Sequence, residues 1–119
     1  MTVDVPTLKA MLRGLLAFRA YYEISREDTA TSVDGIEWCL WDVEYLFEQA
    51  VERLPKRQAQ AIEFCLVHNM TEADAATRMG IRATNPVSMY ANDGLCSLVA
   101  MIERGELPKF RHKGGVVAA

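Results

Sequence analysis

Four residues near the end of the chain could do recognition chemistry: Asn85, Ser88, Met89 and Asn92 recur at three- and four-residue steps. On a helix that spacing places them on one face. An asparagine amide offers a donor and an acceptor side by side, matching N6 and N7 of adenine in the major groove. Arg57, Arg78 and Arg82, with the hydroxyl of Thr71, are the nearest groups able to hold a phosphate backbone. The same arginines also serve ordinary surfaces through solubility or ion pairing, and the residue types do not separate the two roles. No Lys or Arg occurs between Arg82 and Arg104, while Asp93 lies inside that stretch. A helix there would read bases through uncharged groups or bind nucleic acid weakly.

Other chemistry has little support. The chain has three cysteines, Cys39, Cys65 and Cys96, far apart, and two histidines, His68 and His112. That is neither a disulfide framework nor a zinc site, and reduced thiols are expected. The carboxylates around residues 37–52 lack a Glu-x-x-His partner, so no metal site is expected. His68 sits where a helix should end, which suits capping or exposure better than catalysis. No glycine-rich phosphate loop or Gly-x-Ser-x-Gly elbow is found. The expectation is a protein that is not an enzyme and needs no cofactor.

A length of 119 residues allows one compact domain or two small lobes sharing a core. Half the residues are apolar and 24% are charged, the proportions of a globular chain. No apolar run is long enough to span a bilayer and no secretory signal is evident, so a cytoplasmic protein without a membrane partner is expected. The net charge of −3 hides an asymmetry. Residues 1–53 carry five Lys/Arg against ten Asp/Glu, residues 54–104 five against five, and residues 105–119 three against one. Only the C-terminal half is electrostatically permissive for nucleic acid. Lys109, Arg111 and Lys113, with Phe110 among them, read either as a basic arm along nucleic acid or as a merely solvated terminus.

The periodicity predicts an all-α fold of about five helices. Leu8, Met11, Leu12, Leu15, Phe18 and Tyr22 form the stripe of a first helix, with Pro6 in its first turn and an end near Ser25. Arg26–Thr31 reads as a polar loop. Thr31 or Ser32 can cap a second helix, with Ile36, Leu40, Val43, Phe47, Ala50 and Leu54 as its stripe. Trp38, Trp41 and Tyr45 fall nearly opposite, beside an acidic row of Glu37, Glu44, Glu48 and Glu52. Burial against the first helix and the C-terminal lobe is the commoner fate of such aromatics, and a partner interface is the other. Pro55 opens a third segment with Ala59, Ile62, Cys65 and Leu66 inward, broken at Asn69-Met70-Thr71. Thr71 and Asp74 suit a capping box, and Gly80 ends the short helix so begun. Thr84 or Asn85 caps a last helix whose first residue is Pro86, with Val87, Ala91, Leu95, Leu98 and Ile102 buried. Gly94 lowers that helix's intrinsic stability by about 1 kcal/mol relative to alanine. From Gly105 onward a loose segment is expected.

A short helix, a glycine turn and a second helix make the helix-turn-helix plan, with Ala76 small at the crossing and Met79 and Ile81 as apolar plugs. At these residues the chain resembles region 4 of bacterial sigma factors. The resemblance runs without a gap over 28 positions, from Leu54-Pro55-Lys56-Arg57-Gln58 and Ile62 through Thr71, Asp74-Ala75-Ala76 and Met79-Gly80-Ile81. Sigma-like regulators of bacteriophages share this plan. The chain departs from it in an apparent extra turn residue at Thr84-Asn85-Pro86 and in a last helix without arginine.

The resemblance implies a DNA-binding transcription regulator in a bacterial or phage-infected cell, whose partners are double-stranded DNA and RNA polymerase. Residues 1–53 would then support or oligomerise, 54–104 would form the helix-turn-helix, and 105–119 a flexible basic tail. Asn85, Ser88, Met89 and Asn92 would meet base edges while Arg57, Thr71, Arg78 and Arg82 hold phosphates. Two copies joined through the N-terminal helices would give a two-fold reader. The rival expectation is a protein-interaction module on the same scaffold, binding RNA polymerase or a host regulator through Trp38, Trp41 and Tyr45.

Overall fold

The computed structural model describes residues 4–25, 31–33, 36–38 and 40–107, with backbone alone at residues 25, 31–33 and 36–38. Helix α1 spans Val5–Ser25, β1 Thr31–Val33, β2 Ile36–Trp38, α2 Leu40–Arg53 and α3 Lys56–Ala61. A π turn, Ile62–Val67, continues α3 directly; α4 covers Glu72–Met79 and α5 Asn85–Glu103. Among the described residues, counting α3 with its π continuation, five helices carry an all-α fold, joined by a two-stranded antiparallel hairpin.

That hairpin corrects the start of the second helix. Thr31 faces Trp38, Ser32 faces Glu37 and Val33 faces Ile36, so neither Thr31 nor Ser32 caps α2, and Ile36 is not on its stripe. The signal lay in the sequence: Asp34-Gly35 is a favoured dipeptide of two-residue hairpin turns, and Thr31, Val33 and Ile36 are β-branched. Residues 26–30 of the expected loop lie outside the described residues.

Two apolar clusters hold the molecule. The larger gathers Leu8, Met11, Leu12 and Leu15 of α1 with Leu40, Val43, Leu46 and Ala50 of α2, then Leu54, Ile62, Leu66, Val67, Leu95 and Leu98. The smaller lies inside the C-terminal lobe and packs Ala61, Ala75, Ala76 and Met79 against Val87 and Ala91 of α5. Thus α5 enters the small cluster with its first half and the large one with its second. The α1 stripe is as expected, with Phe18 and Tyr22 half-buried at its end. At its start Asp4 accepts from the Thr7 amide at 2.9 Å, and hydrogen bonds from the Thr7 hydroxyl first and this amide second hold the Asp4 carboxyl below its ordinary range.

The inward stripe of the third segment also differs from expectation. Val67 is fully buried and Cys65 only partly so. The cause is the π turn, where the His68 amide bonds back five residues to Glu63 at 2.9 Å. A wider turn moves the inward face from the α spacing of Ile62, Cys65 and Leu66 toward Ile62, Leu66 and Val67, the last five residues from the first. Asn69, at φ 53°, then turns the chain out of the helix.

Helices α3 and α5 cross in close contact at Gly94. A Cβ placed there would lie 2.8 Å from Ile62 Cδ1, 3.2 Å from Leu54 Cδ1 and 3.3 Å from Gln58 Cβ. The reading of Gly94 as a weak helix residue is correct but incomplete, since its missing side chain is what lets the two backbones approach. At the far end of α5, Gly105 (φ 75°) closes the helix, its amide bonding Ile102 and that of Glu106 bonding Met101. Leu107 then enters the large cluster, with 4% of its surface exposed. The expectation of a loose segment from Gly105 onward is therefore corrected for Gly105–Leu107, while residues 108–119 lie outside the described residues.

A side chain at Gly94 sets a gain in helix propensity of about 1 kcal/mol against overpacking of a filled site. Gly94→Leu is expected to destabilise by about 1–3 kcal/mol, read as a lower urea midpoint with unchanged slope. A stability equal to wild type would show that α3 and α5 are not pressed together here.

Candidate nucleic-acid interface

The helix-turn-helix is built by local chemistry at both ends of α4. Thr71 is extended (φ −66°, ψ 157°), and its Oγ1 accepts from the Asp74 amide at 3.1 Å, satisfying one of the free donors of the first turn. Glu72 and Asp74 sit in that turn, where carboxylates complement the helix dipole. Gly80 adopts φ 73°, its amide bonding Thr77 at 3.1 Å while that of Ile81 bonds Ala76 at 2.8 Å. This pair of hydrogen bonds needs a left-handed residue, which glycine takes without strain. Ala76 and Met79 are buried at the crossing and Ile81 is half-buried beside them, as the sequence indicates.

Helix α5 begins at Asn85, so Pro86 is its second residue. Thr84, the residue before it, has helical angles and makes no side-chain cap. The expected cap is absent because a capping side chain needs an extended backbone, as at Thr71, and Thr84 is already helical, its carbonyl accepting from the Val87 amide at 3.0 Å. Val87, Ala91, Gly94, Leu95 and Leu98 face inward, leaving Asn85, Ser88, Met89 and Asn92 exposed on the outer side. Met89 keeps 64% of its surface exposed. Asn85, Met89, Asn92 and Cys96 run along one line of the helix, with Ser88 and Asp93 on its flanks, as the helical period requires. The structure therefore brings the four expected reading residues together. Cys96 continues their line by one turn, which its spacing of four from Asn92 would have shown.

The expected phosphate contacts divide into different surroundings. Arg57, at the start of α3, donates from Nη1 to the Met79 carbonyl and so ties α3 to the end of α4. Arg78 lies 5.7 Å from the centroid of the Phe64 ring, a cation–π contact beneath an exposed guanidinium. Arg82 is exposed in the turn before α5. Thr71 accepts from the Asp74 amide in the cap, which leaves its O–H free to donate, and two carboxylates that repel phosphate share its turn. Cys65 packs against the small cluster; burial raises its thiol above the ordinary value, aided by Glu72 and opposed by Arg13, so it is protected rather than activated. Lys109, Arg111 and Lys113 lie outside the described residues.

On α2, Trp41 and Tyr45 are 49% and 38% exposed, which corrects the expectation that they are buried between α1 and the C-terminal lobe. The Trp41 ring meets Tyr22 edge-on at 5.7 Å between centroids, and Arg19 of α1 holds Glu44 through both carboxylate oxygens. Leu40, Val43 and Leu46 take the inward side of α2, which turns Trp41 and Tyr45 toward the surface. Trp38 lies in β2, not on α2, and its side chain is outside the described residues.

A capped short helix, a left-handed glycine turn and a second helix with a polar outer line define the helix-turn-helix class of DNA-binding folds. Residues 45–85 match the family Sigma-70, region 4, so this stretch is similar to the sigma-70 region 4 helix-turn-helix domain. The match begins in α2 and ends at the first residue of α5. It contains the scaffold of the motif, and the outward line of α5 beyond Asn85 falls outside it. No curated protein and no solved structure matches the chain. No helix among the described residues is long and apolar enough to cross a membrane.

The cap at Thr71 yields a local test. Thr71→Ala removes the acceptor for the Asp74 amide and is expected to lower stability by about 1 kcal/mol, whereas Thr71→Ser retains it. Equal urea midpoints for the two variants would show that the cap contributes nothing.

Proposed function

We propose that this protein is a transcription regulator that binds double-stranded DNA, with α5 in the major groove. The observation carrying this reading is the outward line of Asn85, Met89 and Asn92, flanked by Ser88, on the second helix of a sigma-70 region 4 motif. Residues 54–104 act as the reading lobe and residues 1–53 as its support and oligomerisation region. Two copies joined through the N-terminal helices bind as a two-fold pair, and RNA polymerase is the protein partner. Arg78 and Arg82 hold phosphates directly. Arg57, whose Nη1 is committed to Met79, holds them through its remaining N–H groups. The basic residues Lys109, Arg111 and Lys113 add an arm along the backbone. The setting is a bacterial or phage-infected cytoplasm.

A second reading is favoured by the exposed Trp41 and Tyr45 and by the lack of basic residues along α5. In it the helix-turn-helix is a scaffold, and the aromatic face of α2 with Glu44 and Glu48 docks RNA polymerase or a host regulator.

Binding to a pool of genomic duplexes across a salt series separates these readings. Three arginines on phosphates predict a slope of log K against log salt of about −2.7, or roughly 40-fold weaker binding between about 50 and 200 mM. Participation of the three tail cations steepens the slope to about −5.4. Arg78→Ala should weaken binding to all sequences alike and flatten the slope by about 1. No retention at the lowest salt, together with capture of purified RNA polymerase that Trp41→Ala abolishes, would establish the second reading.

A further inference from the structure

We infer that α5 selects an A·T-rich site, with two adenines about three base-pair steps apart and a thymine methyl between them. This rests on the DNA-reading role proposed above and deepens it.

Each base edge calls for a distinct side chain. Guanine is read by Arg or Lys through O6 and N7, adenine by Asn or Gln through N6 and N7, and thymine by an apolar group against its methyl. The outer line of α5 holds no guanine reader, since no Lys or Arg occurs between Arg82 and Arg104. It holds two adenine readers, Asn85 and Asn92, both exposed. Among the described residues neither amide is engaged in an intramolecular hydrogen bond, so both offer donor and acceptor together. Between them, Met89 presents its flexible side chain with 64% of its surface exposed. Burying a thioether chain against a methyl removes apolar surface from water on both sides of the contact.

The spacing fits as well as the chemistry. Seven residues at about 1.5 Å rise separate Asn85 from Asn92 by about 10 Å, close to three steps of about 3.4 Å along a DNA strand. These residues occupy the first turns of α5, the part of a recognition helix that meets base edges. Asp93, able to accept from cytosine N4, stands on a flank of this line, while Arg82 precedes the helix and is assigned to the backbone.

The test is selection from a random duplex library with the full chain at low salt, followed by measurement on the enriched site. The expected result is an A·T core of about four base pairs, each adenine→guanine replacement weakening binding by about 5- to 150-fold. Asn92→Arg should transfer preference at one position from A·T to G·C. Replacing thymine by uracil should weaken the wild type and leave Met89→Ala unaffected. A G·C-rich core would overturn the inference while leaving DNA binding intact, as would a base preference that disappears in Arg82→Ala but survives Asn85→Ala and Asn92→Ala. No selection of any duplex would overturn the DNA-reading role itself. All these residues are exposed, and unchanged far-ultraviolet circular dichroism of each variant confirms that the fold is retained.

Discussion

The close crossing of α3 and α5 at Gly94 is the constraint on which the rest of the molecule depends. Beside it, Leu54 and Ile62 belong to the large cluster. One turn earlier, Ala91 belongs to the small one with Ala61, Ala75 and Ala76. Small side chains on one side and a missing one on the other let a single helix seat in both clusters. Packed interiors leave few voids, so a change at this crossing is transmitted along the whole of α5. The pose of the exposed line from Asn85 to Cys96 is therefore set by contacts on the opposite face of the same helix.

The turn between α4 and α5 has a complementary rigidity. Gly80 closes α4 with two backbone bonds, Arg57 reaches across from α3 to the Met79 carbonyl, and Arg78 lies over Phe64. Two of the three arginines near the motif thus have intramolecular contacts. Such anchoring costs little for phosphate binding, because a guanidinium carries five donors and retains its charge when one is engaged. It also reduces the side-chain entropy lost on binding. What this surface lacks is a dense basic field, and Glu72, Asp74 and Asp93 lower its potential further. Under the proposed DNA-reading role, such a surface would gain discrimination from base contacts in greater proportion than affinity from phosphates.

The N-terminal half has a different character. Leu8 to Leu15 on α1 and Leu40 to Ala50 on α2 supply much of the large cluster, while Trp41 and Tyr45 remain at the surface beside Glu44 and Glu48. A half-exposed tryptophan held edge-on by Tyr22 is an apolar surface already oriented, with few rotamers to lose on contact with a partner. Its border differs from the outer line of α5, with Glu48 exposed and Glu44 held by Arg19.

Much of this was legible in the sequence, because the deciding interactions are local. The stripe of α1, the Thr71 cap, the Gly80 turn and the outward spacing of Asn85, Ser88, Met89 and Asn92 each follow from residues within about two helical turns of one another. The hairpin at residues 31–38 was also written there, in Asp34-Gly35 and its β-branched flanks, but helical periodicity from Ile36 onward competed with it. Other features depended on groups far apart in the chain. The π turn that brings Val67 inward, the bond from Arg57 to Met79, the seat of Leu107 and the exposure of Trp41 and Tyr45 all depend on neighbours that only packing supplies. Sequence spacing tells which residues share a face. The tertiary structure alone decides which faces are covered, because burial depends on the volume left by elements remote in sequence.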